Sequence, residues 1–226
     1  DANRRLPAPK PAPPPPVPRR EAPAEGLIIA NAGVGGHAVC LHTLAQLASG
    51  SRPAVLAQLS VPPALIPGIC QHLANIGAGP GAPMAPGQHL LQGMTYIGTL
   101  GERLILEGPP GACRLAPAED AGEDLFGATP FDRLLESAVE RFGFRTSAIL
   151  LSGAKIGSLQ GLEAVRRAGG TVVVQDPATC MAPEPIQAVI DHHLATRVAP
   201  PARLAMEIPA MEAGESERHV RRGCPG

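Results

Sequence analysis

The sequence predicts a three-layer α/β/α fold built on a doubly wound, mainly parallel sheet with a small hairpin insertion. From Leu27 onward, short apolar runs alternate with longer segments whose apolar residues recur at helical spacing, the pattern of βαβ units. The first apolar run ends in the glycine-rich turn NAGVGG, as strand-to-helix turns of such folds do. A length of 226 residues with 44% hydrophobic content is enough to bury one substantial core.

The first half of the folded region predicts two βα units. Residues 27–32 form a short apolar run that predicts a strand, and the helical spacing that follows predicts a helix over 36–49. A second strand is predicted over 53–59. The next helix is expected to open at Pro62 and Pro63, because first-turn amides have no partner in a helix and proline is tolerated there.

The middle of the chain is rich in glycine and proline and predicts a hairpin. Its two β-like runs, 93–97 and 103–106, are separated by the turn sequence GTLG. Residues 111–127 are acidic and irregular, which predicts a loop. The remaining predicted elements continue the alternation: a helix over 131–142, a strand over 147–151, a helix over 159–168, a strand over 171–175 and a helix over 184–194.

Both ends of the chain differ in composition from the predicted domain. Residues 1–25 are predicted to be a Pro-rich linker or disordered, because nine prolines between 6 and 23 favour an extended polyproline spacer. The domain is expected over 26–203, followed by a flexible tail over 204–226. Since the sequence starts at Asp1 with linker-like residues, we expect that an upstream domain was cut away or lost.

Composition excludes several classes of function. A net charge of -1, the absence of Trp and the scarcity of other aromatic residues argue against nucleic-acid binding. The spacing of the five cysteines argues against a zinc site or a disulfide framework, so reduced thiols are expected. Neither a membrane span nor a signal sequence is apparent, and a cytoplasmic location is predicted. No metal or cofactor is predicted.

Several motifs, in order, resemble the catalytic domain of the chemotaxis protein-glutamate methylesterases. Residues 169–180, GGTVVVQDPATC, resemble that family's strand and turn followed by Q-D, and Pro185 falls where its M-P helix start lies. Residues 129–138 resemble its P-S-V-D-x-L-x-x-S-A helix. Residues 86–97, with P-G and GMTYI, resemble its hairpin motif, although the histidine that usually follows is Arg103 here.

The resemblance covers about residues 27–203 and carries expectations of fold, activity and partners. It implies a doubly wound α/β domain, in agreement with the pattern above, and hydrolysis of methyl esters on glutamates of chemoreceptors. It also implies a receiver domain joined through a linker, which the Pro-rich start fits. The implied partners are a chemoreceptor cytoplasmic domain or other chemosensory proteins.

The family's Ser-His-Asp positions carry other residues in this sequence. Laying the family's G-A-S-x-G-G over residues 31–36 places Gly33 at the nucleophile. Its Q-H-x-P places Ser60 at the histidine, and its T-G-M-G-x-D-G places Gly157 at the aspartate. Ester hydrolysis by such a triad needs a hydroxyl, an imidazole and a carboxylate, so all three roles are predicted to be vacant.

The resemblance leaves a set of candidate binding residues. Gly35 and Gly36 stand at a predicted helix start, where backbone amides favour a carboxylate or ester oxygen. Ser152 and Gly153 are the first two residues of the third motif and are the other two candidates. The hypothesis is therefore a catalytically degenerate domain, a pseudoenzyme, that acts as a regulatory or binding module in chemosensory signal transduction.

Two other functions stay open. The first is an active esterase with rearranged residues, for which Ser152 and Cys180 are the nucleophile candidates near strand ends, although neither has a histidine within its motif. The second is a Rossmann-like nucleotide-binding domain, because residues 33–38 fit a loose G-x-G-x-x-A pattern. The second strand, however, ends near Ser60 without the acidic residue that would meet a ribose.

Three acidic positions have local explanations. Asp191-His192-His193 resembles a phosphoesterase metal motif, but the early strand ends lack the further aspartates such a site needs, so a helix surface is the better interpretation. Asp176 is expected to bond its own turn, and Asp132 to cap a helix.

Overall fold

A computed structural model describes residues 22–47, 53–109, 111–118 and 129–209. The predicted linker up to residue 21, the tail from residue 210 and Cys224 lie outside the described residues, so the predictions about them stay predictions.

The main sheet has seven parallel strands in the order β3-β4-β2-β1-β7-β8-β9. A separate two-stranded antiparallel sheet is formed by β5 and β6. The strands are β1 Leu27–Ala32, β2 Ala54–Leu59, β3 Gly81–Pro83, β4 Thr95–Thr99, β5 Leu104–Glu107, β6 Arg114–Pro117, β7 Thr146–Leu150, β8 Thr171–Gln175 and β9 Arg197–Ala199.

Helices cover both faces of the sheet, which confirms the predicted α/β class. The α-helices are α1 His37–Leu47, α2 Ile66–Asn75, α3 Pro130–Phe142, α4 Gln160–Arg167 and α5 Glu184–Asp191. Short 3₁₀ helices span Pro63–Leu65, Gly143–Arg145, Pro177–Thr179 and Pro201–Glu207. One apolar core lies between the sheet and α3, α4 and α5, and the other between the sheet and α1, α2 and the last 3₁₀ helix.

The central strands β1, β2 and β7 are buried along their whole length because both their faces are covered. In β1, Leu27 and Ile29 face one core while Ile28 and Ala30 face the other, and every residue of the strand is buried. The predicted strands at 27–32 and 171–175 are confirmed residue for residue. The other predicted strands of the main sheet and the predicted helices agree within a few residues, whereas the short edge strands β3 and β9 were not predicted.

The predicted small hairpin is present as the antiparallel β5–β6 sheet, but the predicted pairing of its strands is wrong. Residues 95–99 form β4, which pairs in parallel with β2 inside the main sheet rather than with the run at 103–106. That second run belongs to β5, which pairs with β6, Arg114–Pro117, in the segment predicted to be a loop. Tyr96 and Ile97 are buried on opposite faces of the main sheet, and this burial outweighs the short connection to β5.

Ordered structure extends past both expected domain boundaries. Before residue 26, the Ala24 amide donates to the Leu90 carbonyl at 3.0 Å, and Ala24 is buried. After residue 203, Leu204 is completely buried under the sheet, within the last 3₁₀ helix. Among the described residues, no helix is long and apolar enough to cross a membrane.

The strand order places a crevice at the carboxyl ends of β1 and β7. The crossovers from β1 run to one side of the sheet and those from β7 to the other, so the loops after these neighbouring strands diverge there. Ligands of open α/β folds bind at such a switch point. The glycine turn of the sequence analysis and the loop that follows β7 both lie at this place.

Candidate functional site

The candidate site is the meeting of two glycine turns, one after β1 and one after β7. The Gly33 amide donates to the Ser152 carbonyl at 3.0 Å, and the Leu151 amide donates to the Asn31 carbonyl at 3.0 Å. Gly153 has a φ of 65°, a conformation that side chains other than glycine's rarely adopt. The structure therefore brings the first and third predicted motifs into direct contact.

The space beside Gly33 is filled by backbone. A Cβ added at Gly33 would overlap the carbonyl oxygen of Gly153 and lie 3.0 Å from its Cα. In the same way, a Cβ on Gly36 would lie 2.6 Å from the Ser152 carbonyl oxygen. Position 33 therefore holds no nucleophile, and the backbone in its present course leaves no room for one.

The hydroxyl of Ser152 joins three loops. Its Oγ donates to the Val34 carbonyl at 2.7 Å and accepts from the amides of Met181 and Ala182 at 3.0 and 3.1 Å. Its side chain is fully buried, with an exposed fraction of 0%. A hydroxyl with its proton already donated and its lone pairs already used is a structural brace, not a free nucleophile.

Two buried amide side chains, on β1 and β8, hold the same loops by hydrogen bonds. The Asn31 side chain donates to the Lys155 carbonyl at 3.2 Å and accepts from the Lys155 amide at 3.0 Å. The Gln175 side chain accepts from the Ser152 amide at 3.0 Å and donates to the Thr179 carbonyl at 3.0 Å. Each amide satisfies backbone groups that would otherwise be buried without partners.

The other two family positions lie near this crevice. The Ser60 amide donates to the Ala32 carbonyl at 3.0 Å, which places exposed Ser60 beside the residue that precedes Gly33. Gly157 is exposed, two residues beyond Lys155, whose backbone is held by Asn31. Gly33, Ser60 and Gly157 therefore lie on the segments that follow β1, β2 and β7, three parallel strands whose carboxyl ends share one edge of the sheet.

The predicted binding residues offer fewer free donors than expected. The Gly36 amide donates to the Gly33 carbonyl at 3.0 Å, and the Gly153 amide donates to the Ala182 carbonyl at 3.0 Å. The Ser152 amide and hydroxyl are also engaged, as described above. A Cβ at Gly35 would meet the Met181 side chain at 2.8 Å, so Met181 lies over that glycine. The amides of Gly36 and Gly153 are thus occupied by the protein itself.

The thiols provide no activated nucleophile among the described residues. Burial raises the pKa of Cys40 to about 12 and that of Cys113 to about 11. Burial also raises the pKa of Cys180, the thiol nearest the site, and its Sγ lies 3.5 Å from the Asp176 carbonyl oxygen. A raised pKa keeps a thiol protonated and therefore poorly nucleophilic at neutral pH.

The histidine closest in sequence to the turn is not arranged as a base. His37 is the first residue of α1, and its Nε2 is buried without a hydrogen-bond partner. In the described part of the chain, no hydrogen bond joins a histidine to Ser152. Among the described residues, therefore, neither His37 nor Ser152 makes the serine–histidine hydrogen bond that a rearranged triad would need.

Asp176 and Asp132 make local hydrogen bonds at a turn and at a helix start, as predicted. The Asp176 side chain accepts from the Ala178 amide at 3.0 Å, and Asp132 completes a capping box with Thr129 at the start of α3. Asp191 of the DHH sequence accepts from Gln187 at 2.8 Å on the exposed surface of α5. Among the described residues, no group of three metal-ligating side chains is close enough to hold a metal.

Two exposed apolar residues at this edge were not predicted from the sequence. Val34 is 59% exposed and Met181 is 76% exposed, and both stand on loops that the Ser152 hydroxyl holds together. Met181 is separated from the glycine turn by more than 140 residues, so no local sequence pattern could connect the two. We call these two residues the Val34–Met181 surface.

Comparisons with known proteins agree on one family. The family described as CheB methylesterase matches residues 28–208. A protein-glutamate methylesterase/protein-glutamine glutaminase of Moorella thermoacetica is 27% identical over 193 residues, which cover 85% of this chain and 45% of that protein. Another, numbered 2, from Bordetella avium is 30% identical over 159 residues, covering 70% of this chain and 45% of the relative.

The fold has a close match among solved structures. The catalytic domain of Thermotoga maritima CheB methylesterase matches with a TM-score of 0.66 and 20% sequence identity, covering 80% of this chain and 95% of that structure. The chain spans less than half the length of the curated relatives named above.

Proposed function

The chain belongs to the CheB methylesterase family, whose profile matches residues 28–208, and we propose that this member no longer hydrolyses esters and acts as a binding module in chemosensory signalling. The observation that carries the proposal is Gly33, which has no side chain and whose Cβ position is taken by the Gly153 carbonyl. The proposed setting is the cytoplasm, and the proposed partner is the cytoplasmic domain of a chemoreceptor or another chemosensory protein.

The expected loss of activity is large. Removing one serine or histidine from such a triad costs about a million-fold in turnover. The remainder, about 10³ to 10⁴ over water, would come from oxyanion donors and substrate binding. Here the amides of Gly36 and Gly153 are already bonded within the protein, which weakens that residual contribution too.

Binding can survive where hydrolysis has not. The Val34–Met181 surface is apolar, exposed and located at the carboxyl edge of the sheet, the place where α/β folds bind ligands. Its loops are held by buried hydrogen bonds to Ser152, so little ordering is needed when a partner binds. We therefore propose this surface as the contact with the partner.

The first test is an assay of methanol release from a methylated chemoreceptor, with ammonia release from receptor glutamines measured in parallel. The Thermotoga maritima catalytic domain is the positive control. We expect no turnover above background from this chain. Robust turnover that is abolished by Ser152→Ala or Ser60→Ala would contradict the proposal and establish the rearranged enzyme instead.

The second test is binding of the same methylated receptor fragment, measured by calorimetry. We expect the chain to bind, and Met181→Asp to weaken binding by roughly tenfold or more, because a charge would replace an apolar contact that becomes buried in the complex. Met206→Asp is the matched control, since Met206 is also exposed but lies in the last 3₁₀ helix, which packs against α1, β8 and β9. Equal effects of the two variants would argue against the Val34–Met181 surface.

Nucleotide binding remains the alternative from a different class. A ligand at 100 times its dissociation constant adds about 2.7 kcal/mol to stability. Titrating NAD, NADP and ATP is therefore expected to leave the melting temperature unchanged, and a clear rise would favour the Rossmann-like function.

A further inference from the structure

Polar atoms of two side chains are buried without hydrogen-bond partners beyond the carboxyl ends of β2 and β4. Gln58 is 1% exposed, and neither its Oε1 nor its Nε2 makes a hydrogen bond. The Oε2 of Glu102 is also buried and unpaired, while its Oε1 accepts from the Thr99 amide at 3.1 Å. Buried polar groups of native proteins are almost always hydrogen-bonded, so three such atoms in one place need an explanation.

The strand register places these two side chains next to each other. Gln58 and Gly98 are direct partners in the parallel β2–β4 pair, so a side chain at 98 would stand beside that of Gln58 on the same face. The Glu102 carboxylate occupies that position, because a Cβ added at Gly98 would overlap its Oε2. Neighbouring strands are about 4.8 Å apart, so the Glu102 carboxylate lies next to the Gln58 side chain, although no hydrogen bond joins the two groups in this geometry.

Protonation of Glu102 would satisfy all three unpaired atoms at once. A neutral carboxyl group can donate its O–H to the Gln58 Oε1 while its other oxygen accepts from the Gln58 Nε2–H. An ionised carboxylate has no proton to donate and leaves the Gln58 Oε1 unpaired in either orientation. The pair is therefore chemically complete only when the carboxyl group is neutral.

We propose that Gln58 and Glu102 form a proton-operated latch that holds the turn between β4 and β5 against β2 when the carboxyl is protonated and releases it on ionisation. The Leu100 amide, in this turn, donates to the Leu59 carbonyl at 3.2 Å, immediately before Ser60. Release of the turn would open the sheet edge beside Ser60. The latch does not depend on the proposed binding function.

Few of the described residues around Gln58 and Glu102 carry a titratable or charged group. Burial is the main cause that raises the pKa of Glu102, and its hydrogen bonds to Thr99 act in the opposite direction. The neighbours from β1, β2 and the residue after β3 are Asn31, Gln58 and Met84, none of which titrates. Charged residues of the neighbouring segments are Arg103, which follows Glu102 in the chain, and Lys155, whose backbone is hydrogen-bonded to Asn31.

The sign of the pH effect follows from the direction of this shift. A carboxyl whose pKa is higher in the folded state contributes stability below its unfolded pKa, about 4.3 for glutamate. That contribution is lost as the pH rises through the folded pKa. The latch is therefore closed under acidic conditions and opens as the pH increases.

The direct test uses the unmodified protein. The carboxyl resonance of Glu102 is followed by ¹³C NMR against pH, together with the hydrogen-exchange protection factor of the Leu100 amide. We expect Glu102 to titrate above 4.3. The protection factor should fall by up to about tenfold per pH unit between the ordinary glutamate pKa and the folded pKa, and level off above the folded pKa, as the loss of one proton requires. A Glu102 pKa at or below the ordinary value, or constant protection, overturns the latch.

Variants separate the latch from simple packing. Glu102→Gln keeps the shape and can pair with Gln58 as two amides, so Leu100 protection should become independent of pH. Gln58→Leu removes the partner and should lower Leu100 protection at acidic pH. Glu107→Gln, an exposed carboxylate on β5, is the matched control and should leave the profile of the unmodified protein unchanged. A pH step that persists in Glu102→Gln overturns the latch.

Discussion

At the scale of single residues, the position that lacks a nucleophile is filled by backbone atoms of another turn. The absence of a side chain at Gly33 is accompanied by close packing against the Gly153 backbone, which itself needs a positive φ. Gly33 and Gly153, which come from different turns, must therefore both be glycine for this close contact to form. Restoring a serine at one of them would conflict with the other.

Gly33→Ser is expected to destabilise the protein without producing activity. We expect its free energy of unfolding, measured by urea denaturation, to fall by about 3 kcal/mol, the upper end of the usual cost of overpacking. Gly68→Ser is the control, because a Cβ at Gly68 in α2 meets no atom within 4 Å. If both variants were equally stable, the close approach of Gly33 and Gly153 would be refuted.

Local roles of polar residues were partly predictable from sequence. Asp132 and Asp176 were predicted from their positions next to a helix start and a proline, because those hydrogen bonds run to residues two or three positions away. The role of Ser152 was not predictable, because its partners Val34 and Met181 come from distant parts of the chain. Only folding brings such partners together.

At the scale of elements, α3 shows how one residue can serve both a helix end and the packing of two helices. The Asp132 Oδ2 accepts from the Thr129 amide at 2.9 Å, while its Oδ1 accepts from the Gly161 amide of α4 at 3.1 Å. A Cβ on Gly161 would lie 2.7 Å from the Asp132 Cα, so the two helices touch at this point. Asp132 therefore both caps α3 and fixes it against α4.

We expect Thr129→Ala to lower the free energy of unfolding by about 1 kcal/mol, the usual cost of losing a helix N-cap. Asp132→Ala should cost more, about 2–3 kcal/mol, since it also leaves the buried Gly161 amide unpaired. Glu136→Ala, which removes an exposed ion pair with Arg133, should change stability by less than about 0.5 kcal/mol. Chemical denaturation measures all three, and equal losses for Thr129→Ala and Asp132→Ala would exclude the link to α4.

The incorrect hairpin shows why pairing is harder to predict than strand position. The strand at β4 was located within two residues, but its neighbours in the sheet are β2 and β3, which precede it in the chain. Short connections favour a hairpin between successive runs, and that preference was outweighed by burial of β4 on both faces. Strand pairing is decided by the whole sheet.

At the scale of the whole molecule, the last 3₁₀ helix closes one of the two cores. Leu204 packs against the same core as α1 and α2, under the sheet, and is completely buried. Its neighbour Met206 is 75% exposed. Leu204, which was predicted to belong to a flexible tail, therefore contributes to this core.

Leu204→Ala is expected to lower the free energy of unfolding by about 2–4 kcal/mol, because it leaves a cavity in the core. Met206→Ala is the matched control and should change it by less than about 0.5 kcal/mol. Thermal and urea unfolding measure the two effects. A Leu204→Ala variant as stable as Met206→Ala would show that the segment after residue 203 is not part of the domain.

By itself, the sequence determined the α/β class, the positions of most strands and helices and the residue types at the three family positions. These follow from periodicity, turn chemistry and motif order, which are local properties of the chain. Only the tertiary structure decided that β4 joins the main sheet, that the Gly153 backbone fills the place of a side chain at Gly33, and that Gln58 lies beside Glu102. Each of these depends on contacts between segments distant in sequence, and such contacts are selected by burial and hydrogen bonding of the whole fold.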